Sequence, residues 1–329
     1  MIRIGVIGAG HLGKIHIKLL KQIPDFELVG FFDREEKVRE QVAADFEIQA
    51  FESLESLLVE VEAVDIVVPT LAHHEVATAA FRLGKHVFIE KPLTHTVAEG
   101  EALLELQAQH PHLMGQVGHV ERFNSAFLAI SDRMLEPMFV EGHRLAQYNP
   151  RGTDVSVVAD LMIHDLDVIL SVISAPVRQI QASGVAVVSD TPDIANARIE
   201  FENGAVANLT ASRISMKNMR RLRFFQRDAY LAVDFLAKKV DDVRLFPEMP
   251  EEQPLPLLPI DTPLGQKYMQ MQQLEPEPIN AIQMELEEFA ASIREGAPIR
   301  VSLADGLRAL KVAVQIQEQI DASLQGIPV

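Results

Sequence analysis

Cysteine does not occur in the 329 residues, which removes disulfides, thiolate zinc sites and a cysteine nucleophile. Positive charge is scarce: 30 Lys and Arg stand against 47 Asp and Glu, a net charge of −17 at pH 7. Nucleic acid and anionic membrane surfaces need a basic face, so neither is expected as a partner. A phosphorylated substrate needs only a locally positive pocket and stays open. No apolar run reaches the ~20 residues of a membrane span. The N-terminus enters a glycine turn after Ile7, without the long apolar region and small-residue cleavage site of a signal peptide. Repeats and low-complexity linkers are also missing. A soluble, cytoplasmic protein is the expectation these absences leave. Hydrophobic residues make up 48%, which suits a folded chain, and the length suits two cores better than one.

What is present is organised from the N-terminus. Residues 2–7 are apolar and β-rich, and they run into Gly8-Ala9-Gly10-His11-Leu12-Gly13, followed by a helical pattern over 14–22. Strand, Gly-x-Gly-x-x-Gly, helix is the context a dinucleotide fingerprint requires. Gly8 makes the tight turn, Gly10 lets the backbone approach a pyrophosphate, and Gly13 lets helix and strand pack closely. His11 and Leu12 lie within the same cofactor-binding turn, and neither His11 nor His16 needs a special role of its own. A second strand over 27–32 ends at Asp33, 20 residues beyond Gly13, where a carboxylate accepts both ribose hydroxyls of adenosine. Asp33 repels a 2′-phosphate and favours NAD. Arg34 beside it could turn toward such a phosphate, which keeps NADP open, although it also reads as a solvated surface residue.

The alternation continues with helices over 35–44 and 53–59, the second capped by Ser53, and a strand over 64–68 ending at Pro69-Thr70. A helix over 75–83 closes at Gly84. Lys85-His86-Val87-Phe88-Ile89 is a buried strand that stops at Glu90-Lys91-Pro92. Proline ends strand pairing, and the charged pair before it sits at the carboxyl edge of the sheet, where open α/β sheets bind ligands. Taken alone, that tripeptide also fits an ordinary turn. After a helix over 97–109, the strand over 113–117 is counted as the sixth. The sum is a doubly wound parallel Rossmann sheet, with the NAD(P)-binding domain placed at 1–120.

Pro69-Thr70-x-x-His73, Gly84-Lys85-His86-Val87 and Glu90-Lys91-Pro92-Leu93 resemble, in order and spacing, the Gfo/Idh/MocA oxidoreductases, named for glucose–fructose oxidoreductase and inositol dehydrogenase. The resemblance implies that Thr70 and His73 line the nicotinamide side, that Glu90 contacts the nicotinamide ribose, and that Lys91 reaches the substrate. On its own, His73 also reads as a helix-start histidine.

The second half, 121–329, is expected to be a substrate-binding and oligomerisation domain, α+β with an open, mostly antiparallel sheet. A helix is expected over 121–134, with Arg122 and Asn124 as substrate contacts or helix caps, and Arg151 in the following loop as a further substrate contact. Residues 157–173 read as one apolar helix carrying Asp160 and His164 at i and i+4, on one face, with Asp167 near it. A carboxylate one turn before a histidine orients the imidazole and raises its basicity; the same spacing also fits an ordinary helical ion pair or metal ligation. No further ligand-rich segment accompanies it, so no metal is expected. Asp-x-x-x-His after Glu-Lys-Pro resembles the family's catalytic pattern, which implies Lys91, Asp160 and His164 as the catalytic set. Strands follow over 179–188, 195–201, 205–212, 222–227 and 230–235, with Asn203-Gly204 as a hairpin turn. The stretch 248–263 reads as a loop or edge strand, and helices over 279–295 and 303–324 end the chain.

The resemblance implies NAD(P)-dependent oxidation of a secondary alcohol on a sugar, nucleotide sugar or cyclitol, in homodimers or homotetramers built on the C-terminal sheet. The stretches 117–124 and 160–167 are similar to a subgroup that oxidises nucleotide sugars, with C3 of UDP-N-acetylglucosamine the implied position. Inositol dehydrogenation is the alternative within the family. A dinucleotide-binding sensor without turnover is the alternative outside it, and the intact Lys91, Asp160 and His164 speak against that.

Overall fold

The computed structural model describes residues 1–131, 136–149, 155–250, 256–263 and 265–324. The chain forms two compact units. One comprises Met1–Phe123 with Asn280–Lys311, and the other comprises the described residues of Asn124–Ile279 and Val312–Val329.

The first unit is built on five parallel strands: β1 (Ile2–Ile7), β2 (Phe26–Phe32), β3 (Ala63–Ile66), β4 (His86–Glu90) and β5 (Gly115–Gly118), in the order β2-β1-β3-β4-β5. Their side chains alternate between two covered faces, so Ile4, Val6, Ile66, Val87 and Ile89 are all buried. Five helices connect them: α1 (His11–Leu20), α2 (Glu36–Phe46), α3 (Leu54–Glu60), α4 (His73–Arg82) and α5 (Val97–Ala108). Ser53 caps α3, accepting from the Ser56 N–H at 3.1 Å. Thr96 and Glu99 form a reciprocal capping box on α5. Gly84 takes φ +70° just past α4, a conformation open to glycine at little cost. The sheet has five strands, not the six counted from the sequence. Where a further strand would lie, between α2 and α3, only Ala50 makes a bridge, to Phe31. The chain leaves β1 for one edge through β2 and returns to the other side through β3. That reversal opens a crevice at the carboxyl ends of β1 and β3.

In the second unit, α6 (Ser125–Ser131) follows a 3₁₀ turn at Val120–Phe123. The single helix expected over 121–134 is therefore broken at Asn124. The Asn124 Oδ1 accepts the Ala126 N–H at 3.1 Å and its Nδ2 donates to the Phe235 carbonyl at 3.0 Å, so the side chain starts a new helix. Residues 132–134 of that prediction lie outside the described residues. The helix expected over 157–173 is also two pieces, a π turn at Val158–Met162 and α7 (Ile163–Val172).

These pack on a nine-stranded sheet. Its strands are β6 (Phe139–Leu145), β7 (Val177–Val185), β8 (Ile194–Phe201), β9 (Val206–Ser212), β10 (Met219–Phe225), β11 (Ala229–Asp234), β12 (Lys239–Phe246), β13 (Leu257–Thr262) and β14 (Gly265–Leu274). The order is β13-β14-β12-β11-β10-β6-β9-β8-β7, antiparallel throughout except for β6 beside β9. Asn203-Gly204 turns β8 into β9, with Gly204 at φ +85°. The π turn packs on β9 and α7 on β6; Val158, Met162, Leu166 and Ile169 are buried, as are Val140, Leu209 and Ala211 of the strands.

Two late helices, α8 (Ala281–Glu295) and α9 (Leu303–Leu324), close the chain. All of α8, and α9 as far as Lys311, belongs to the first unit. Leu286, Phe289 and Ala290 of α8 enter the core between α1 and the sheet, with the Phe289 ring 5.9 Å from that of Phe88. Among the described residues no helix is long and apolar enough to cross a membrane.

Candidate active site

The first candidate site lies at the carboxyl edge of the parallel sheet. Gly8 adopts φ +96°, and a Cβ there would stand 2.5 Å from the Val67 carbonyl oxygen. At Gly13 a Cβ would meet the Gly8 oxygen at 2.1 Å, so strand and helix approach as closely as glycine permits. At Gly10 a Cβ would meet nothing within 4 Å. That glycine faces open space, which leaves room for a ligand to approach the backbone at the N-terminus of α1. A cavity of about 800 Å³ opens there. Gly8, Gly10, His11, Leu12, Asp33, Arg34, Glu90 and Lys91 all line it. A glycine cradle, a helix N-terminus and a carboxylate one strand away fit a dinucleotide's pyrophosphate and adenosine ribose.

Asp33 is held by the glycine turn and by its own loop. Its Oδ2 accepts the Ala9 N–H at 2.7 Å and its Oδ1 accepts the Glu35 N–H at 2.9 Å, so each oxygen keeps a lone pair for a ribose hydroxyl. Arg34 is exposed beside it. A 2′-phosphate brought to this carboxylate is repelled, so NADP⁺ is expected to bind at least ~10-fold more weakly than NAD⁺. Asp33→Ser is expected to narrow that gap, and titration of both cofactors by fluorescence checks it.

Below the cavity, His73 ties two chain segments together. Its Nδ1 and Nε2 each lie 2.9 Å from a carbonyl oxygen, of Pro92 and Val68 respectively. Burial holds its pKa below the ordinary value, and the two carbonyl contacts oppose that shift. His73 and Gly13 thus support the site from behind rather than lining the cavity. Thr70 opens the short turn after Pro69 that precedes α4. The Glu90 Oε2 accepts the Lys91 N–H at 3.1 Å. Its carboxylate lies over Gly118, where a Cβ would stand 2.9 Å from Oε1, so a side chain on β5 would displace it.

Three residues around this site were given no role of their own by the sequence. His16 is fully buried, sharing a 2.9 Å hydrogen bond with Asp65. Glu285, from α8, is equally buried. His119 follows β5, and burial, reinforced by the charges of Lys91 and Arg122, pushes its pKa down to about 3. It is a neutral imidazole among cations. His16 follows the glycine turn with helical spacing, which could have marked it as inward-facing. Nothing local marks Glu285.

Arg122 donates from Nη2 to the Arg300 carbonyl at 3.1 Å. In the second unit, Asp160 lies inside the π turn and His164 opens the first turn of α7, both half-buried. Such turns are frequent at functional sites. Next to His164, Asp165 takes two donors from Arg144 of β6, Nε at 3.0 Å and Nη2 at 2.7 Å, with both side chains buried. That pair fixes the start of α7 to the sheet and with it the base of His164. Asp167 is buried one turn further on. The Asn124 side chain serves the α6 cap and β11, as described above. Arg151 lies outside the described residues.

A glycine-turn Rossmann unit with an acidic ribose site, and a lysine and glutamate on the cavity wall, defines a dinucleotide-dependent oxidoreductase. Residues 2–119 match the model of the oxidoreductase family with an NAD-binding Rossmann fold, and residues 114–231 match the GFO/IDH/MocA C-terminal domain. The chain belongs to the Gfo/Idh/MocA oxidoreductase family and binds NAD. It is 36% identical over 325 residues to UDP-N-acetylglucosamine 3-dehydrogenase of Acidithiobacillus ferrooxidans, covering 98% of this chain and 99% of that protein. A solved structure of that enzyme superposes with a TM-score of 0.87, at 35% identity over 98% of this chain and 99% of that one. The NAD⁺-dependent scyllo-inositol 2-dehydrogenase of Bacillus subtilis is 29% identical over 235 residues, 65% of this chain and 68% of that protein. The structure of scyllo-inositol dehydrogenase from Lactobacillus casei with bound NAD(H) shares the fold, with a TM-score of 0.78 at 21% identity over 98% of each chain.

Proposed function

We propose that this protein is an NAD-dependent dehydrogenase that oxidises the C3 hydroxyl of the sugar in UDP-N-acetylglucosamine. The observation that carries the substrate assignment is the similarity, along nearly the whole chain, to an enzyme of that activity. The inositol dehydrogenase relative from Bacillus subtilis matches less of the chain at lower identity, which puts cyclitols second.

NAD⁺, when bound, supplies the acceptor for the hydride leaving the substrate carbon. The protein's own part is proton and charge control. His164 takes the hydroxyl proton as the carbon–hydrogen bond breaks, and the alcohol becomes a ketone. Lys91 donates a hydrogen bond to the same oxygen and stabilises the negative charge that develops there. Asp160 holds the His164 ring in the orientation that accepts the proton. Asp33 and the glycine turn hold the adenosine half of the cofactor, and Glu90 and Thr70 the nicotinamide half. Arg122 and Arg151 supply the positive charge that a diphosphate needs in so acidic a protein. The bonds of Asn124 to Ala126 and Phe235 favour a supporting place for it at the edge of the site. The protein works in the cytoplasm as a homo-oligomer built on the nine-stranded sheet.

The test is NADH formation by the purified protein with NAD⁺ and a panel of UDP-N-acetylglucosamine, other UDP-sugars and myo-inositol. Turnover is expected on UDP-N-acetylglucosamine. Turnover on myo-inositol with none on any UDP-sugar would replace this reading with the cyclitol one.

A further inference from the structure

A set of ionisable groups is buried beneath Glu90, and no step of the proposed reaction uses it. His16 on α1 and Asp65 on β3 are joined through Nδ1 and Oδ2 at 2.9 Å, and both are 0% exposed. The other ring nitrogen of His16, Nε2, lies 3.3 Å from the Glu90 Oε1 at the end of β4, close but not aligned for a hydrogen bond. Glu285 on α8 is 0% exposed, and neither of its carboxylate oxygens has a hydrogen-bond partner among the described residues. From β5, Gln116 donates through Nε2 to the Glu285 backbone oxygen at 2.8 Å. The surroundings are apolar, with the Phe88 ring 6.0 Å from His16 and the Phe289 ring behind it. Among the described residues, Lys91 also bonds Glu90 through its backbone N–H, and His73 and His119, whose pKa values are both lowered by burial, feel its charge.

With no added proton, Asp65 and Glu285 would place two negative charges in a dry interior, next to Glu90 at the cavity wall, a cost that folding does not meet. Protons must therefore reside here at neutral pH. We infer that His16, Asp65, Glu90 and Glu285 form one proton-sharing network, with one proton in the His16–Asp65 bond and a second on Glu285, and that it holds the Glu90 side chain in place at the wall of the cofactor cavity. His16, Asp65 and Glu285 are then positioning residues. They act through Glu90, which in turn holds the Lys91 backbone. The titration directions agree. Burial pushes Glu285 well above the ordinary carboxylate range, with Glu90 and Asp65 adding to it and His16 opposing. Burial would lower His16, but the charge and hydrogen bond of Asp65, with Glu90, outweigh it and hold the imidazole well above its usual value. Burial likewise raises Asp65, and His16 opposes it.

The proton count is independent of the dehydrogenase reading, and only the link to cofactor binding rests on it. A carboxyl whose pKa is raised on folding costs stability as pH climbs from the unfolded value toward the folded one, because the unfolded chain then binds fewer protons. Glutamine is neutral at every pH, so Glu285→Gln lacks that loss. His16 loses stability in the same direction in both proteins, so the difference between them isolates Glu285. Calorimetry of wild type and Glu285→Gln between about pH 5 and pH 9 is expected to show a Tm gap in favour of the variant that widens with pH. Parallel curves would overturn the proton on Glu285. Should that variant fail to fold, infrared difference spectroscopy of the wild type decides. An un-ionised carboxylic acid band at neutral pH supports the network, and its absence overturns it. His16→Gln is expected to weaken NADH binding about 10-fold by fluorescence, the size of one lost charge-assisted contact. Unchanged affinity would overturn the link to Glu90. A widening Tm gap in a protein that turns over no UDP-sugar would support the network and sink only the proposed reaction.

Discussion

Replacing His164 by alanine is expected to lower kcat on the UDP-sugar by ~10²–10⁴-fold, the usual worth of a positioned general base, while NADH affinity stays within a few-fold of wild type. Lys91→Ala is expected to lose a comparable factor, since a donor aimed at developing oxyanion charge contributes ~10²–10³-fold. The two losses differ in kind. His164 removes a proton, so its loss should also flatten the acid limb of the kcat profile and be partly recovered at higher pH, where the alcohol surrenders its proton more readily to solvent. Lys91 acts by charge and hydrogen bonding, and raising the pH should not restore it. Steady-state kinetics with a parallel NADH titration separates these outcomes. Wild-type turnover in either variant would remove that residue from the mechanism.

The second large effect concerns stability. Arg144 and Asp165 form a buried ion pair with side chains 3% exposed on each side. Removing one partner takes this ion pair from a charge that stays buried, so Asp165→Ala is expected to cost about 3–5 kcal/mol in urea or thermal unfolding. The double variant Arg144→Met, Asp165→Leu removes both charges and is expected to recover most of that loss. If it proves as unstable as the single variant, packing rather than charge governs the pair. Because Asp165 adjoins His164, the stable double variant also asks whether the ion pair merely anchors α7 or sets the base in place. In the second case kcat falls although Tm does not.

Much of this was legible in the sequence because it is local. The glycine turn, Asp33 and Glu90-Lys91-Pro92 each combine a short pattern with a flanking strand, and each occupies the carboxyl edge that the pattern implies. Ser53 as a cap, Gly84 as a helix end, and Asn203-Gly204 as a hairpin follow from single-residue conformational preferences in the same way. What was not legible depends on distance along the chain or on exceptions to periodicity. Asn280–Lys311 joins the first unit, and the amphipathic pattern of α8 does not say which core it enters. Glu285 reads as one more surface acid on a helix until its burial is known. Strand β12 was missed because its alternation is carried by charges: Asp241 pairs with Arg221 at 2.8 Å, and Asp242 is buried accepting from Gln272 at 2.7 Å. The π turn around Asp160 was invisible because one widened turn leaves the apolar pattern on either side unchanged. Asn124 breaks a helix whose apolar pattern runs on, because its side chain supplies the cap that permits a restart.

The most direct measurement of the central claim follows the hydride itself. UDP-N-acetylglucosamine carrying deuterium at C3 would be incubated with NAD⁺ and the protein, and the reduced cofactor analysed by mass spectrometry. Removal of hydride from C3 predicts NADH one mass unit heavier, formed in step with a 3-keto sugar nucleotide. Unlabelled NADH, or a labelled sugar recovered unchanged while a cyclitol is oxidised in its place, would contradict it.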